Sequence, residues 1–133
     1  MGYLIMVLLD TCALLWWTLD PGGLSDAAAA TCSRITSEGA FISSITIWEI
    51  GIKIKKGTLN IGEDLEDYVG RLKRLGSVEM IPVDEDIWIK NLSLDWPHRD
   101  PVDRTVVATA MLRKIPIVTK DRLIKDFYPE VIW

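Results

Sequence analysis

Short runs of branched apolar residues alternate along this chain with stretches of helical periodicity. A helix between two successive strands forms a crossover connection, and crossovers join parallel strands. The alternation therefore predicts a parallel sheet with helices on both faces. The predicted strands are residues 3–9, 40–43, 78–83, 115–119 and 131–133. The predicted helices are residues 13–19, 26 to about 37, 44–56, 63–74, 85–94, 101–114 and 122–127.

The length, composition and net charge of the chain limit the classes of protein to which it can belong. A chain of 133 residues with 49% hydrophobic content suffices for one domain with a buried core, so we expect a single domain over residues 1–133. Two cysteines make no disulfide framework, and the first apolar run lacks a basic leader and is too short to span a bilayer. We therefore expect a cytoplasmic protein with no membrane partner. The net charge of −4 argues only weakly against a nucleic-acid partner.

Two acids stand at the ends of predicted strands. Asp10 ends the first apolar run, and Asp121 follows the fourth strand in the sequence VTKD. Ligands of parallel α/β sheets bind beyond the carboxyl ends of the strands, where the strand order reverses. If these two strands are neighbours, Asp10 and Asp121 reach the same crevice.

A third acid, Glu49, lies inside an apolar stripe formed by Ile45, Trp48 and Ile52. An ionised carboxylate on a buried stripe is costly unless it meets a cation or hydrogen-bond donors. An ordinary pair with Lys53 or Lys56 explains this position equally well.

The same helix carries a second apolar stripe, Ile47, Ile50 and Ile54, on its opposite side. We expect this second stripe to meet another surface or another chain. The adjacent pair Trp16-Trp17 also indicates an interface. Neighbouring helical positions diverge by about 100°, so one of the two rings should face away from the sheet.

The stretch HRDPVDR, residues 98–104, supplies further acids. Asp100 as N-cap, Pro101 at the first helical position and Asp103 three residues after the cap make a good helix start, so each acid has a purely structural explanation. Asp121 has one too, as the N-cap of residues 122–127. Taken together, the four carboxylates Asp10, Glu49, Asp103 and Asp121, with only one histidine in the chain, suit a hard cation such as Mg²⁺ or Mn²⁺.

The segments LLDTCALLWW, SSITIWEIGIKIKKG, HRDPVDR and VTKD, in this order and spacing, resemble a PIN-domain ribonuclease. The nearest group is the VapC-type toxins of toxin–antitoxin pairs, and the similarity covers essentially the whole chain. The resemblance implies an α/β fold, a three-layer α/β/α sandwich whose five-stranded parallel sheet has the order 3-2-1-4-5. It further implies a homodimer, a cognate antitoxin, an RNA substrate and a cleavage reaction dependent on Mg²⁺ or Mn²⁺.

The family's acidic residues carry over to Asp10, Glu49, Asp103 and Asp121 as catalytic and metal-binding positions. Asp100, Thr11 and Arg104 are accessory candidates beside the site, and His98 is expected to be a hydrogen-bonding loop residue. Cationic side chains are expected to steer an RNA backbone. The residues expected near the site are Arg99, Arg104, Lys120 and Arg122. The residues expected further out are Lys53, Lys55 and Lys56.

Three other classes of protein compete with this interpretation. A haloacid-dehalogenase-type phosphatase needs a second Asp two residues after the first, where this chain has Cys12. A response-regulator receiver needs an acid pair at the first strand and a phosphoacceptor after the third, and Leu9-Asp10 and Pro82-Val83 supply neither. A PIN fold retained only to bind RNA or protein is the serious alternative. An intact acid set argues against it, because clustered carboxylates without a use repel one another.

Overall fold

The computed structural model describes residues 6–133, so the part of the first predicted strand at residues 3–5 lies outside the described residues. Within that range the strands form one parallel five-stranded sheet in the order β3-β2-β1-β4-β5. The strands are β1 (Leu8–Leu9), β2 (Ala40–Ser43), β3 (Val78–Ile81), β4 (Ile117–Val118) and β5 (Val131–Ile132). Fold class and strand order are confirmed.

Helices connect the strands. They are α1 (Thr11–Leu19), α2 (Asp26–Cys32), α3 (Ile35–Glu38), α4 (Ser44–Lys55), α5 (Leu65–Arg74), α6 (Glu85–Ser93), α7 (Pro101–Arg113) and α8 (Arg122–Phe127). Serine caps start two of them: Ser25 Oγ accepts from the N–H of Ala28 at 3.1 Å, and Ser43 Oγ accepts from the N–H of Ile45 at 3.2 Å. The bounds otherwise differ from the predicted ones by a few residues at most, apart from one break.

The predicted helix over residues 26–37 is two helices in the structure. The hydroxyl of Ser33 donates to the carbonyl of Ala30 at 2.6 Å, while the N–H of Arg34 turns to the carbonyl of Thr31 at 3.1 Å. A serine that bonds to local backbone competes with the helical ladder, and α2 ends there.

Strand β1 is the centre of the sheet and separates two apolar cores. Leu8 pairs in register with Phe41 of β2 and Ile117 of β4, and all three belong to the core on one face. Leu9, the next residue, belongs to the core on the other face. Both leucines are fully buried. This alternation on a strand covered on both sides gives the expected three layers.

Helix α4 buries residues from both of its apolar stripes: Ile45 lies in the core that contains Leu8, and Ile50 lies in the core that contains Leu9. Ile50 is fully buried and Ile54 packs against the same core, whereas Trp48 is 57% exposed. The prediction that the stripe of Ile47, Ile50 and Ile54 meets another surface or another chain is therefore wrong for Ile50 and Ile54. Two apolar stripes on one helix do not reveal which residues the sheet covers; the structure buries Ile50 and leaves Glu49 half-buried at the rim.

The tryptophan pair does diverge. Trp17 packs against the core that contains Leu9, while Trp16 lies beside Trp133, with ring centroids 5.4 Å apart, and beneath the ammonium group of Lys120. Trp16 is thus covered within the chain rather than left as a free surface. No helix between residues 6 and 133 combines the length and the apolar character needed to cross a bilayer.

Candidate active site

A cleft of about 490 Å³ opens beyond the carboxyl ends of β1 and β4. Neighbouring parallel strands bring their following residues to the same edge, so Asp10 and Asp121 meet there although they are far apart in the chain. The residues that line the cleft are Asp10, Thr11, Cys12, Trp16, Glu49, Lys53, Asp100, Val102, Asp103, Val106, Lys120 and Asp121. Each acid singled out in the sequence lies on this one surface.

Asp10 is both a helix cap and a cleft residue. Its Oδ1 accepts from the N–H of Ala13 at 2.8 Å, which starts α1, and only 9% of the residue is exposed. The next residue, Thr11, is buried, and its hydroxyl donates to that of Thr46 at 3.4 Å, which ties α1 to α4. Helix capping alone does not require an acid at the end of the central buried strand, because Ser or Asn caps equally well.

Thr119 is a site residue that the sequence reasoning missed. Its hydroxyl donates to Oδ2 of Asp10 across 109 residues of chain, and its Oγ1 accepts from the N–H of Asp121 at 3.0 Å. This single buried hydroxyl therefore connects the first acid of the cleft to the last one. The available signal was the position of a hydroxyl residue at the end of the fourth strand, inside VTKD.

Of the acids at helix starts, Asp100 and Asp121 cap their helices, whereas Asp103 does not. Asp100 Oδ1 accepts from the N–H groups of Val102 and Asp103, at 2.9 and 3.0 Å, and so caps α7. Asp121 Oδ1 caps α8 through the N–H of Leu123 at 2.8 Å. The carboxylate of Asp103 turns instead to His98, whose Nε2 lies 2.7 Å from Oδ2. The helix start explains Asp100 fully, but it does not explain the side chain of Asp103.

Burial and repulsion between carboxylates raise the pKa of two acids in the cleft, Asp10 and Asp103. The pKa of Asp10 rises from 3.8 to about 6, chiefly because burial penalises its charge, with smaller contributions from the charges of Asp103 and Asp121. Burial also raises the pKa of Asp103, and Asp100 and Asp121 add to this, while the hydrogen bond from His98 opposes it. Partial burial and the charge of Asp10 raise the pKa of the Cys12 thiol, so Cys12 supplies no thiolate at neutral pH.

Among the described residues, no lysine or arginine forms an ion pair with these carboxylates. Over residues 6–133 the ion pairs are Arg34 with Glu38, Arg71 with Glu63 and His98 with Asp103. Burial and close approach of acids without a lysine or arginine partner leave an excess of negative charge that a hard cation would offset.

The donor set in the cleft consists of carboxylate and hydroxyl oxygens. Mg²⁺ takes one or two carboxylates directly and keeps several waters, so this set fits it. In the described part of the chain, however, no three carboxylate, imidazole or thiolate groups already stand together as ligands of one ion. Direct binding by several of these acids at once therefore requires side-chain movement, or water between carboxylate and ion.

Two of the predicted cationic residues line the cleft. They are Lys53, which was expected further out, and Lys120, whose ammonium lies 5.7 Å from the ring centroid of Trp16. Arg99, Arg122, Lys55 and Lys56 are exposed and do not line it.

Arg104 binds backbone carbonyls of the protein instead of being free for the predicted phosphate contact. Its guanidinium donates to the carbonyls of Asn91, Leu94, Trp96 and His98, at 2.6, 3.2, 2.6 and 3.0 Å, and to Oδ1 of Asn91 at 3.3 Å. A guanidinium has five N–H donors, and these contacts occupy all five. Arg104 therefore holds the loop before α7 and has no donor left for a phosphate.

The fold and the cleft agree with comparisons to known proteins. A model of the PIN domain family matches residues 7–128. Three solved structures resemble the chain. A toxin–antitoxin complex from Klebsiella pneumoniae is 21% identical, with a TM-score of 0.66 over 96% of each chain. VapBC2 from Rickettsia felis, bound to a DNA fragment from its promoter, is 16% identical, with a TM-score of 0.65 over 96% of each chain. FitAcB from Neisseria gonorrhoeae is 21% identical, with a TM-score of 0.63 over 95% of this chain and 96% of that one.

At these identities the structural likeness establishes the fold. A sequence search of curated proteins gives no match. The family model spans nearly all of the described chain and includes all of the acids in the cleft, from Asp10 to Asp121. The chain belongs to the PIN domain family.

Proposed function

We propose that this protein is a metal-dependent endoribonuclease and the toxin of a toxin–antitoxin pair. The observation that carries the proposal is the set of acids from four distant parts of the chain that line one cleft without a lysine or arginine ion pair. Membership of the PIN domain family and the likeness to structures of toxin–antitoxin complexes support it.

Asp10, Glu49, Asp103 and Asp121 are the residues that would hold Mg²⁺ or Mn²⁺ in the cleft. When bound, such an ion supplies the Lewis acidity that activates water and offsets charge on a phosphodiester. Asp10 is kept in place by two hydrogen bonds, from Ala13 and Thr119. These bonds fix the carboxylate before substrate arrives, so that little reorganisation is needed during the reaction.

Lys53 and Lys120 would contact the RNA backbone. Both line the cleft that contains the acids, where their charge lowers the free energy of a phosphate approaching the carboxylates. The ring of Trp16 beneath Lys120 holds that ammonium at the rim. The chain offers no activated serine or thiolate nucleophile in the cleft, which agrees with attack by water rather than by a side chain.

An antitoxin and a second copy of the chain are the proposed protein partners. Two exposed tryptophans, Trp48 and Trp88, line an apolar pocket of about 350 Å³ with Ile45, Val83 and Pro101. Such patches on a protein surface often mark interfaces. Light scattering of the purified chain, alone and with a co-expressed antitoxin, measures both associations.

Metal binding gives the first test. Mn²⁺ or Mg²⁺ should raise the melting temperature of the protein, by an amount that grows with concentration, because the cleft exists only in the folded state. At 100 times the dissociation constant the gain in unfolding free energy is about 2.7 kcal/mol. Differential scanning calorimetry of the wild type, Asp103→Ala and Asp121→Ala should show a smaller gain in both variants.

The matched control is Asp126→Ala, since Asp126 is an exposed acid of α8 outside the cleft. It should keep the full wild-type gain. If the wild type and both cleft variants gain equally, the ion binds elsewhere and the acids serve only as helix caps.

A further inference from the structure

The loop before α7 is held more firmly than a simple connection requires. Arg104, one residue after Asp103 on α7, donates to four backbone carbonyls between Asn91 and His98. Asn91 is itself buried, and its side-chain amide donates to the hydroxyl of Thr105 at 3.0 Å. The backbone on which His98 stands is therefore fixed to the same helix that carries Asp103.

Aromatic contacts fix the imidazole of His98 as well. The ring of Trp96 stacks on Phe127 with centroids 4.7 Å apart and planes 8° from parallel. The His98 ring lies 4.8 Å from Trp96 at 48°. Phe127 ends α8, the helix that Asp121 begins, so this stack also joins the loop to the last acid of the cleft.

The supported imidazole makes one polar side-chain contact in the described structure, and it is to a cleft acid. Nε2 of His98 lies 2.7 Å from Oδ2 of Asp103, with the two side chains 21% and 24% exposed. With Asp103 ionised, the Nε2–H donates. Asp100 caps α7, so the side chain of Asp103 is not needed as a helix cap. Within residues 6–133, Oδ1 of Asp103 has no hydrogen-bond partner in the protein.

We propose that His98 is a positioning residue that holds the Asp103 carboxylate through Oδ2 and leaves Oδ1 as the oxygen available to a divalent cation. The inference rests on the proposed function and deepens it. A hydrogen bond to one oxygen of a ligating carboxylate fixes its orientation, and such supporting contacts are worth about 10- to 100-fold in metal affinity. Arg104 and Trp96 serve the site by holding His98.

The experiment compares three substitutions of His98 in the full chain, with Mn²⁺ alone as the probe. Gln places its amide N–H near the position of the imidazole Nε2, whereas Asn is too short and Ala has no donor. Titration calorimetry should show Mn²⁺ affinity reduced about 10- to 100-fold in His98→Ala and His98→Asn. His98→Gln should recover affinity to within a few-fold of the wild type.

Melting temperatures without metal separate positioning from loop stability. All three variants lose the stacked imidazole, so a role in stability alone would lower the melting temperature in all three and leave the Mn²⁺ affinity of the folded protein unchanged. Wild-type affinity in His98→Ala, or affinity in His98→Gln as weak as in His98→Ala, would overturn the positioning role.

The failure of the proposed function gives a different result. Asp121→Ala should abolish or strongly weaken Mn²⁺ binding whatever His98 does. If Asp121→Ala loses the ion and His98→Ala keeps it, only the His98 inference fails. If the wild type binds no Mn²⁺, both proposals fail.

Discussion

Asp10→Asn is expected to raise the free energy of unfolding of the metal-free protein at neutral pH while it removes RNA cleavage. The pKa of Asp10, about 6 in the folded protein against 3.8 ordinarily, means that its ionised form is destabilising in the cleft. A shift of this size corresponds to about 3 kcal/mol at pH 7.5. Asparagine carries no charge and still offers an oxygen to the N–H of Ala13.

Cleavage should fall by at least about 100-fold, because even residues that only support the ligands of a metal are worth about 10- to 100-fold. Urea unfolding and an assay of Mg²⁺-dependent cleavage of single-stranded RNA give the two readouts. Asp20→Asn, an exposed acid at the end of α1, is the control and should change neither. Undiminished cleavage by pure Asp10→Asn protein would remove Asp10 from the proposed site.

The stabilisation by Asp10→Asn should depend on pH in a defined direction. The folded protein binds the Asp10 proton more tightly than the unfolded chain does, since the folded pKa is the higher one. Ionised Asp10 therefore lowers the unfolding free energy of the wild type by its full amount above pH about 6. This destabilisation disappears as the pH falls to the ordinary pKa of 3.8. Unfolding free energies of the two proteins should converge between these values. A constant difference from pH 4 to pH 8 would mean that Asp10 has an ordinary pKa.

Ile50→Glu is expected to prevent folding. Ile50 is fully buried in the core on one face of the sheet. Truncating a buried isoleucine costs about 2–5 kcal/mol, and a buried carboxylate without a partner adds several more. The total reaches the whole stability of a typical domain, about 5–15 kcal/mol. Circular dichroism and the soluble yield should both report an unfolded chain.

Trp48→Glu, two residues away on the same helix, is the matched control. Trp48 is 57% exposed, so the variant should keep a melting temperature within a few degrees of the wild type. Folded, soluble Ile50→Glu together with unfolded Trp48→Glu would mean that α4 is turned as its sequence first suggested, with the Ile50 stripe outward.

The sequence alone allowed most of the sheet to be predicted, because strands buried on both faces leave a clear apolar run. The strand order came from the family resemblance. The orientation of α4 was not predictable, since both of its stripes are apolar and only the packing of the helix decides which residues of each are buried.

The site was predictable where an acid sits at a strand end or on an apolar stripe, as at Asp10 and Glu49. Thr119 was not predicted, because a hydroxyl has many ordinary uses and only its hydrogen bond to Asp10 distinguishes it here. His98 was predicted as a hydrogen-bonding loop residue, but its partner Asp103 was not. Arg104 was misassigned for a related reason. The sequence shows a charge beside an acid, whereas the structure shows five donors already engaged with loop carbonyls and an asparagine side chain.

The central position of β1 has a consequence for the growing chain on the ribosome. β2 becomes available to pair with β1 early in synthesis, but β4 lies at Ile117–Val118 and is made only after β3 and the helices α4 to α7. Until then Leu8 and Leu9 keep one open edge, and Asp10 lacks the hydroxyl of Thr119. Pairing over so long a sequence separation is slow to form. A nascent chain that lacks β4 therefore cannot assemble the cleft, and Asp10 and Asp121 come together only after β4 has been made.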